Sequence, residues 1–388
     1  MLLVNLSLHL WVDHRLKRNQ AIFVNLLGAS RNFDRGIWIN VPAIAGSSAA
    51  KYLSPPGIEP VEHAAIDVNV QVLQPRYSLA HWYQPRLQKA WGRAVASQLK
   101  KIIDGQPFCL WMNCPGTLSN SLSRELAPHA ALRVFDSSDD FKAFPELVGY
   151  VDELASLADH VLCVNETAAS RIEHPHKHVF SNCTSWNSFQ QRQDGFKLPP
   201  ILPKPSGATY VGFIGGIHQS RADQPLLHRM FNEFPSCTFV FVGYPDKPEF
   251  IANLTSFPNV RFIPSVPYTD LPEVIRSFDV AIVPHLDNEC TRGNDLLKVL
   301  DYFACRVPVV STRCSNVERY GEAVYLADNH EQFLGYVRRL VAGEIVHNPA
   351  AGEAIAKEQS WDRQVPRLAK QIIGWLAQPA EHIAVTTL

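Results

Sequence analysis

The chain has no excess of charge of either sign. Lys and Arg number 36 against 37 Asp and Glu, a formal net charge of −1 over 388 residues. A nucleic-acid binder carries a basic surplus to exchange for phosphate counterions, so that class is excluded as the main role. No stretch approaches the roughly 18 consecutive apolar residues that a membrane-spanning helix needs. The opening MLLVNLSLHLWV lacks a basic leader and a small-residue cleavage site, and His14-Arg15-Leu16-Lys17-Arg18 follows at once. It reads as a first buried strand and not as a secretory signal. The eight cysteines form no C-x-x-C pair and no regular framework. Reduced, buried thiols in a cytoplasmic protein fit that spacing. Tandem repeats and low-complexity tracts are absent as well.

What is present is enough apolar sequence, 46% of the residues, to offset the ordering entropy of a folded chain. At about 150 residues per domain the length suggests two domains. Through residues 1–198, short apolar runs alternate with amphipathic ones. Strands are expected at Leu2–Leu8, Gly36–Val41, Pro107–Asn113, Ala131–Asp136 and Val161–Asn165. Helices are expected at Arg18–Leu27, Gln84–Asp104, Leu118–Leu126 and Gly149–Ala158. The run GFKLPPILPKPSG follows, and its prolines bar both helix and central strand, which makes 199–207 a linker. From 208 to 350 the alternation restarts, with FVFVG, VAIVP and VPVVST as strands apolar on both faces. Such runs belong to parallel sheets covered by helices. Residues 351–388 read as a C-terminal helix and tail that pack back on the N-terminal domain.

Ligands of open parallel sheets bind beyond the carboxyl ends of the strands, where helix N-termini point. Between Phe278 and Thr312 a strand, a polar loop, a helix and a second strand occur in that order. Lys298 and Asp301 stand three apart and share one helix face. Thr291, Arg292 and the amides of Gly293 to Leu296 would converge at the start of that helix, suiting a diphosphate. Asp301 could accept two hydroxyl hydrogen bonds from a ribose. A solvated surface pair is the alternative for Lys298 and Asp301. Gly215 and Gly216, after the strand YVGFI, would let amides approach phosphate unhindered, with Arg221 as a second cation or simply a surface arginine.

These residues resemble the nucleotide-sugar site of GT-B glycosyltransferases, in particular the retaining family-4-like (group 1) enzymes of bacterial polysaccharide biosynthesis. The family signature runs N-E-x-T-R, then P-x-K, then E-Y-x-A-x-G-x-P-V-V. Asn288, Glu289, Thr291, Arg292, Lys298, Tyr302, Ala304 and Pro308-Val309-Val310 fall in step with it. YVGFIGGI, FVFVGYPD, PNVRFIPSVPYTDLPEVI and SWDRQV follow the later landmarks. FDSSDDFKAF, LADHVLCVNETAASRI and FSNC follow the earlier ones. The resemblance implies an α/β chain of two Rossmann-like parallel-sheet domains facing each other across a cleft. It implies a hexosyltransferase moving sugar from a nucleotide-sugar donor to a glycan or lipid-linked acceptor, with retention and without metal or cofactor. Lys298, Glu289, Asp139 and Asp140 would be catalytic. Gly215, Gly216, Asn288, Thr291, Arg292 and Asp301 would bind substrate, with Val260–Tyr268 flanking the base. Work in the cytoplasm, with peripheral contact to the inner membrane, would suit lipid-linked acceptors.

The sequence also departs from the family. Gly293 stands where many members carry a carboxylate eight residues before the ribose acid, and Asp301 replaces glutamate. Arg306 replaces glycine and Leu296 replaces proline. A sugar-nucleotide epimerase or hydrolase and a non-catalytic partner subunit are therefore the competing readings. Asp136, Asp139 and Asp140 of FDSSDDF end a first-domain strand, where they could hydrogen-bond sugar hydroxyls or cap a helix. The tract His174-Pro175-His176-Lys177-His178 reads as a surface turn and not a metal site. Trp82, Trp91 and Trp111 read as core or cleft wall.

Overall fold

The computed structural model describes residues 1–7, 9–11, 18–29, 32–44, 56–63, 68–191 and 204–377. Residues 14–17 of the basic run, prolines 199, 200 and 203 of the expected linker, and the tail from 378 lie outside them, as does the Trp82 side chain. The chain divides into two compact units, residues 1–181 with 365–388, and residues 182–364.

The first unit is a nine-stranded sheet. Its strands are β1 (Leu2–Leu6), β2 (Arg35–Ile39), β3 (Ala43–Ile44), β4 (Gly57–Pro60), β5 (Val70–Tyr77), β6 (Phe108–Met112), β7 (Leu132–Ser137), β8 (His160–Cys163) and β9 (Lys177–Val179). They run in the order β3-β5-β2-β1-β6-β7-β8-β9, all parallel, with β4 antiparallel on β5. LLVNL and FCLWM are buried along their whole length, as central strands between two helix layers must be. The helix Pro85–Ile103 starts on a proline at its first turn, and its chain turns off through Asp104 in the left-handed region (φ 52°). Its buried stripe carries Trp91, Val95, Leu99 and Ile103, and Trp111 is also core. The strand order reverses between β1 and β6, which creates a crevice at their carboxyl ends.

Arg18, the one residue of the basic run within the described residues, is buried at 6% exposure and pairs with the buried Asp136 at 2.9 Å. The two form a core ion pair. The histidine tract lies at the surface as expected, with Pro175, His176 and Lys177 exposed and His174 and His178 half-buried. His160 stacks on Trp375 (centroids 4.1 Å, planes 12° apart), and His178 lies 3.2 Å from it, nitrogen to nitrogen. Burial and the neighbouring imidazoles push the pKa of His160 down to about 4. Among the described residues no group of three or more His, Cys, Asp or Glu is arranged to hold a metal ion.

The second unit is a six-stranded parallel sheet of β10 (Thr209–Ile217), β11 (Cys237–Pro245), β12 (Val260–Pro264), β13 (Val280–Val283), β14 (Val309–Thr312) and β15 (Tyr325–Ala327). The order β12-β11-β10-β13-β14-β15 is the doubly wound arrangement, reversing between β10 and β13. Ile214, Val240, Val242 and Val283 pack one face against the helix Leu297–Ala304. Phe213, Phe239, Phe241 and Ile282 pack the other.

The boundary falls at Ser181/Asn182 and not at 198. Residues beyond it are tied into the second unit: the Asn182 amide donates to Asp295 at 2.6 Å, Thr184 to Asp301 at 2.7 Å, and Gln190 to the Ala304 carbonyl at 3.1 Å. The far boundary also moves. The helix Ala350–Glu358 packs on the second unit, where Gly352 abuts Phe303, and only from Val365 does the chain rejoin the first. The seven cysteines whose side chains are described are buried and free. Among the described residues no helix is long and apolar enough to cross a membrane.

Candidate functional site

The second unit's reversal point is built on glycine. Gly215 pairs in register with Gly243 of β11, and both have positive φ (110° and 150°). A Cβ on Gly243 would run into the Gly215 carbonyl, and one on Gly216 would lie 2.7 Å from His218 Nε2. Only glycine allows this approach, and it leaves the loop backbone open. The loop after β10 is braced from both sides. The Gln219 amide donates to the Asp246 carboxylate at 3.1 Å, and Asn288 Nδ2 donates to the Ser220 carbonyl at 2.9 Å. The Leu286 amide donates to the Arg221 carbonyl at 2.8 Å. Such bracing pre-sets the backbone for a ligand.

Lys298 enters this loop from the helix Leu297–Ala304. Its ammonium stands 3.8 Å from the centroid of the Phe213 ring, and a Cβ on Gly215 would lie 3.4 Å from it. Burial, then the nearby Arg221 charge, lowers its pKa to about 7. His285, at the end of β13, is buried, and its Nδ1 has no hydrogen-bond partner. Burial first, then Lys298, Arg221 and His218, holds its pKa well below the usual value. His218 is lowered by burial and by Arg221, against the opposing pull of Asp246 3.8 Å away. Among the described residues, neither Lys298 nor Arg221 forms an ion pair with a carboxylate. Two cations and two imidazoles thus surround a glycine loop without a counter-charge on Lys298 or Arg221, an arrangement that favours an anion.

The other expected site residues divide. Asn288 braces the loop through its side chain and caps the turn Glu289–Arg292 in a reciprocal box with Thr291. Thr291 is fully buried, and its hydroxyl accepts from the Asn288 amide at 3.0 Å and donates to the Leu286 carbonyl at 2.6 Å. Its hydroxyl is therefore spent on the fold. Arg292 is exposed and paired with Asp287 at 2.9 Å and Glu289 at 3.3 Å. This differs from the expected diphosphate contact, because two carboxylates within five residues outcompete a more distant partner. Glu289 shares that exposed pair. The helix starts at Leu297, and Asp295 is buried against Arg319.

Asp301 is buried, and Thr184 and Tyr268 donate to its Oδ1 at 2.7 and 3.3 Å. Burial, only partly offset by these donors, raises its pKa to about 7. Neither bond uses Oδ2. Arg306 sits at φ 64°, the left-handed conformation that explains the family glycine, and pairs with Glu353 at 2.6 Å. Asp139 and Asp140 belong to the first unit: Asp139 Oδ1 accepts from the Asp140 amide at 2.9 Å, and Asp140 faces Arg171 at 3.4 Å. His218 and His285 were missed in the sequence. The only signal for them was their position just past the ends of two predicted strands.

Residues 208–342 match the family model of glycosyl transferases group 1. Over those residues the second unit is similar to that family, and the chain as a whole has the GT-B fold. Solved structures share that fold over nearly the whole length. An E. coli trehalose-6-phosphate protein bound with UDP-2-fluoro glucose covers 98% of this chain and 99% of its own, at TM-score 0.67 and 11% identity. Sucrose-phosphate synthase from Thermosynechococcus elongatus covers 97% and 99%, at 0.68 and 11%. Anabaena HepE in complex with UDP covers 97% and 98%, at 0.60 and 14%. No curated protein sequence matches the chain. The group 1 match spans Gly215, Gly216, Arg221, His285, Lys298 and Asp301.

Proposed function

We propose that this protein is a glycosyltransferase that moves a sugar from a nucleoside-diphosphate sugar to a hydroxyl of a glycan or lipid-linked acceptor, in bacterial polysaccharide assembly. The observation that carries this reading is the Lys298–Arg221 pair, unmatched by carboxylate, around Gly215 and Gly216. In the step, the bond from the anomeric carbon to the β-phosphate oxygen breaks and one to the acceptor oxygen forms. The acceptor proton leaves, and the nucleoside diphosphate departs with the bonding electrons. Negative charge grows on the departing oxygen, where Lys298, Arg221 and the loop amides stand. One preorganised donor of this kind contributes about 3 kcal/mol to a transition state. Lys298, half neutral near pH 7 in the free protein, takes up a proton as the diphosphate arrives.

Charge neutralisation by side chains supports a metal-independent reaction, and retention follows the family resemblance. Asp301 would hold the ribose through Oδ2, the oxygen its protein donors leave aside. Arg306 in its glycine-like conformation weighs against the non-catalytic reading, since the substitution keeps the local backbone. Contact with the cytoplasmic face of the inner membrane would follow from a lipid-linked acceptor.

The test is a thermal-shift screen with UDP, GDP, ADP, dTDP and their sugar conjugates, without added metal, on wild type and Lys298→Ala. One nucleotide family should raise the melting temperature of wild type only. Absence of any shift, or a full shift in Lys298→Ala, overturns the reading. Donor breakdown at one rate with and without acceptors would point to a hydrolase instead.

A further inference from the structure

Three large apolar side chains of the second unit stand exposed among the described residues: Tyr244 (53%), Leu286 (38%) and Val346 (91%). The first two border the cation-lined loop. Tyr244 lies in the sheet register directly beside Gly216. A Cβ on Gly216 would come within 3.3 Å of the Tyr244 hydroxyl, so the glycine keeps the space beside this ring open. His218 meets the ring edge-on, with centroids 6.1 Å apart. Nothing else holds it: the Tyr244 hydroxyl has no hydrogen-bond partner among the described residues. Its edge is against His218 while its face is open to solvent beside the cation-lined loop, where a flat aromatic ligand can stack on it.

The aromatic expected near the base, Tyr268, is committed elsewhere. Its hydroxyl donates to Asp301 and its ring lies 5.2 Å from Phe189. Phosphates held by Lys298 and Arg221 over Gly215 and Gly216 would sit at the β10 edge of the crevice. The next strand across, on the side away from β13, is β11 with Tyr244. A rigid ligand leading from the phosphates toward β12 crosses that ring.

We propose that Tyr244 is a binding residue of the donor site, stacking its exposed face on the nucleobase. This inference rests on the donor reading given above. A stacked base is worth a loss of about tenfold in affinity when the aromatic is truncated.

The test measures binding of UDP, GDP, ADP, their glucose conjugates and inorganic pyrophosphate to wild type, Tyr244→Ala and Tyr244→Phe by calorimetry. Tyr244→Ala should weaken every nucleoside diphosphate that wild type binds by about tenfold. It should leave pyrophosphate affinity and the melting temperature unchanged, and Tyr244→Phe should restore binding. An equal loss for nucleotides and pyrophosphate overturns the proposal, because the residue would then only shape the loop. No loss for any ligand overturns it too, as does a loss confined to the glucose conjugates, which would put the sugar on the ring. Wild type that binds none of these probes removes the donor reading itself, a result distinct from wild type that binds and a variant that binds equally.

Discussion

The two units offer the same topological device with opposite charge balance. In the first, the reversal between β1 and β6 lies near a buried Arg18–Asp136 pair at 2.9 Å, with Arg171 facing Asp140 at 3.4 Å. In the second, Lys298 and Arg221 stand at the reversal between β10 and β13 without an ion pair to a carboxylate among the described residues. Topology makes both crevices; among the described residues the cations named in the first are paired with carboxylates, and Lys298 and Arg221 in the second are not. The group 1 family match lies wholly within that second unit. A crevice that neutralises itself is a structural junction or a site for uncharged hydroxyls. One that holds unmatched cations is prepared for an anion. Burial first, and the Arg221 charge second, make the protonated lysine unfavourable without a ligand.

Breaking the balance of the first unit should have the largest effect. Asp136→Asn leaves Arg18 buried and unpaired, so urea unfolding should show a loss of about 3–5 kcal/mol. A loss under about 0.5 kcal/mol would mean the pair is not needed. Balancing the second unit should do the reverse. Arg221→Glu gives Lys298 a partner, so the free protein should melt higher while nucleotide affinity falls roughly hundredfold. Unchanged affinity would remove Arg221 from the site.

Acidity offers a milder lever. The Lys298 pKa is about 7 in the fold against an ordinary 10.5. Between those values the unfolded chain binds a proton that the free fold does not, so this residue's penalty eases as pH rises. Nucleotide affinity should move oppositely, falling about tenfold from pH 6 to 9 as the cation is lost. A flat profile in calorimetry would show that the lysine is charged throughout. Arg292→Ala should be the smallest change, under about threefold in affinity, because its partners are exposed carboxylates. A larger effect would restore the phosphate role expected for it.

Much of the fold was legible. The helices expected at Gln84–Asp104 and Leu118–Leu126 appear at Pro85–Ile103 and Thr117–Leu126, since each carries a clear apolar stripe. The expected closeness of Gly215 and Lys298 was also legible, since a glycine loop after one strand and a helix start after its neighbour meet at a strand-order reversal. β5 was missed: VQVLQPRY carries Gln, Pro and Arg, and its pairing with β2 decides its state. The commitments of Thr291 and Asp301 were hidden for different reasons. Thr291 caps its own turn, a local pattern readable in NECT. Asp301 meets Thr184 across 117 positions, which no local pattern reports.

That long-range bond bears on how such chains can be cut and recombined. A chimera joined in the proline-rich stretch, the natural place for a cloning junction, would exchange Asn182, Thr184 and Gln190 along with the wrong half. The recipient second half would keep Asp301 and Asp295 but receive foreign donors for them. Junctions at 181/182 and 364/365 instead carry each carboxylate with its own partners, so the unit to transplant is the inserted segment 182–364 and not a C-terminal half.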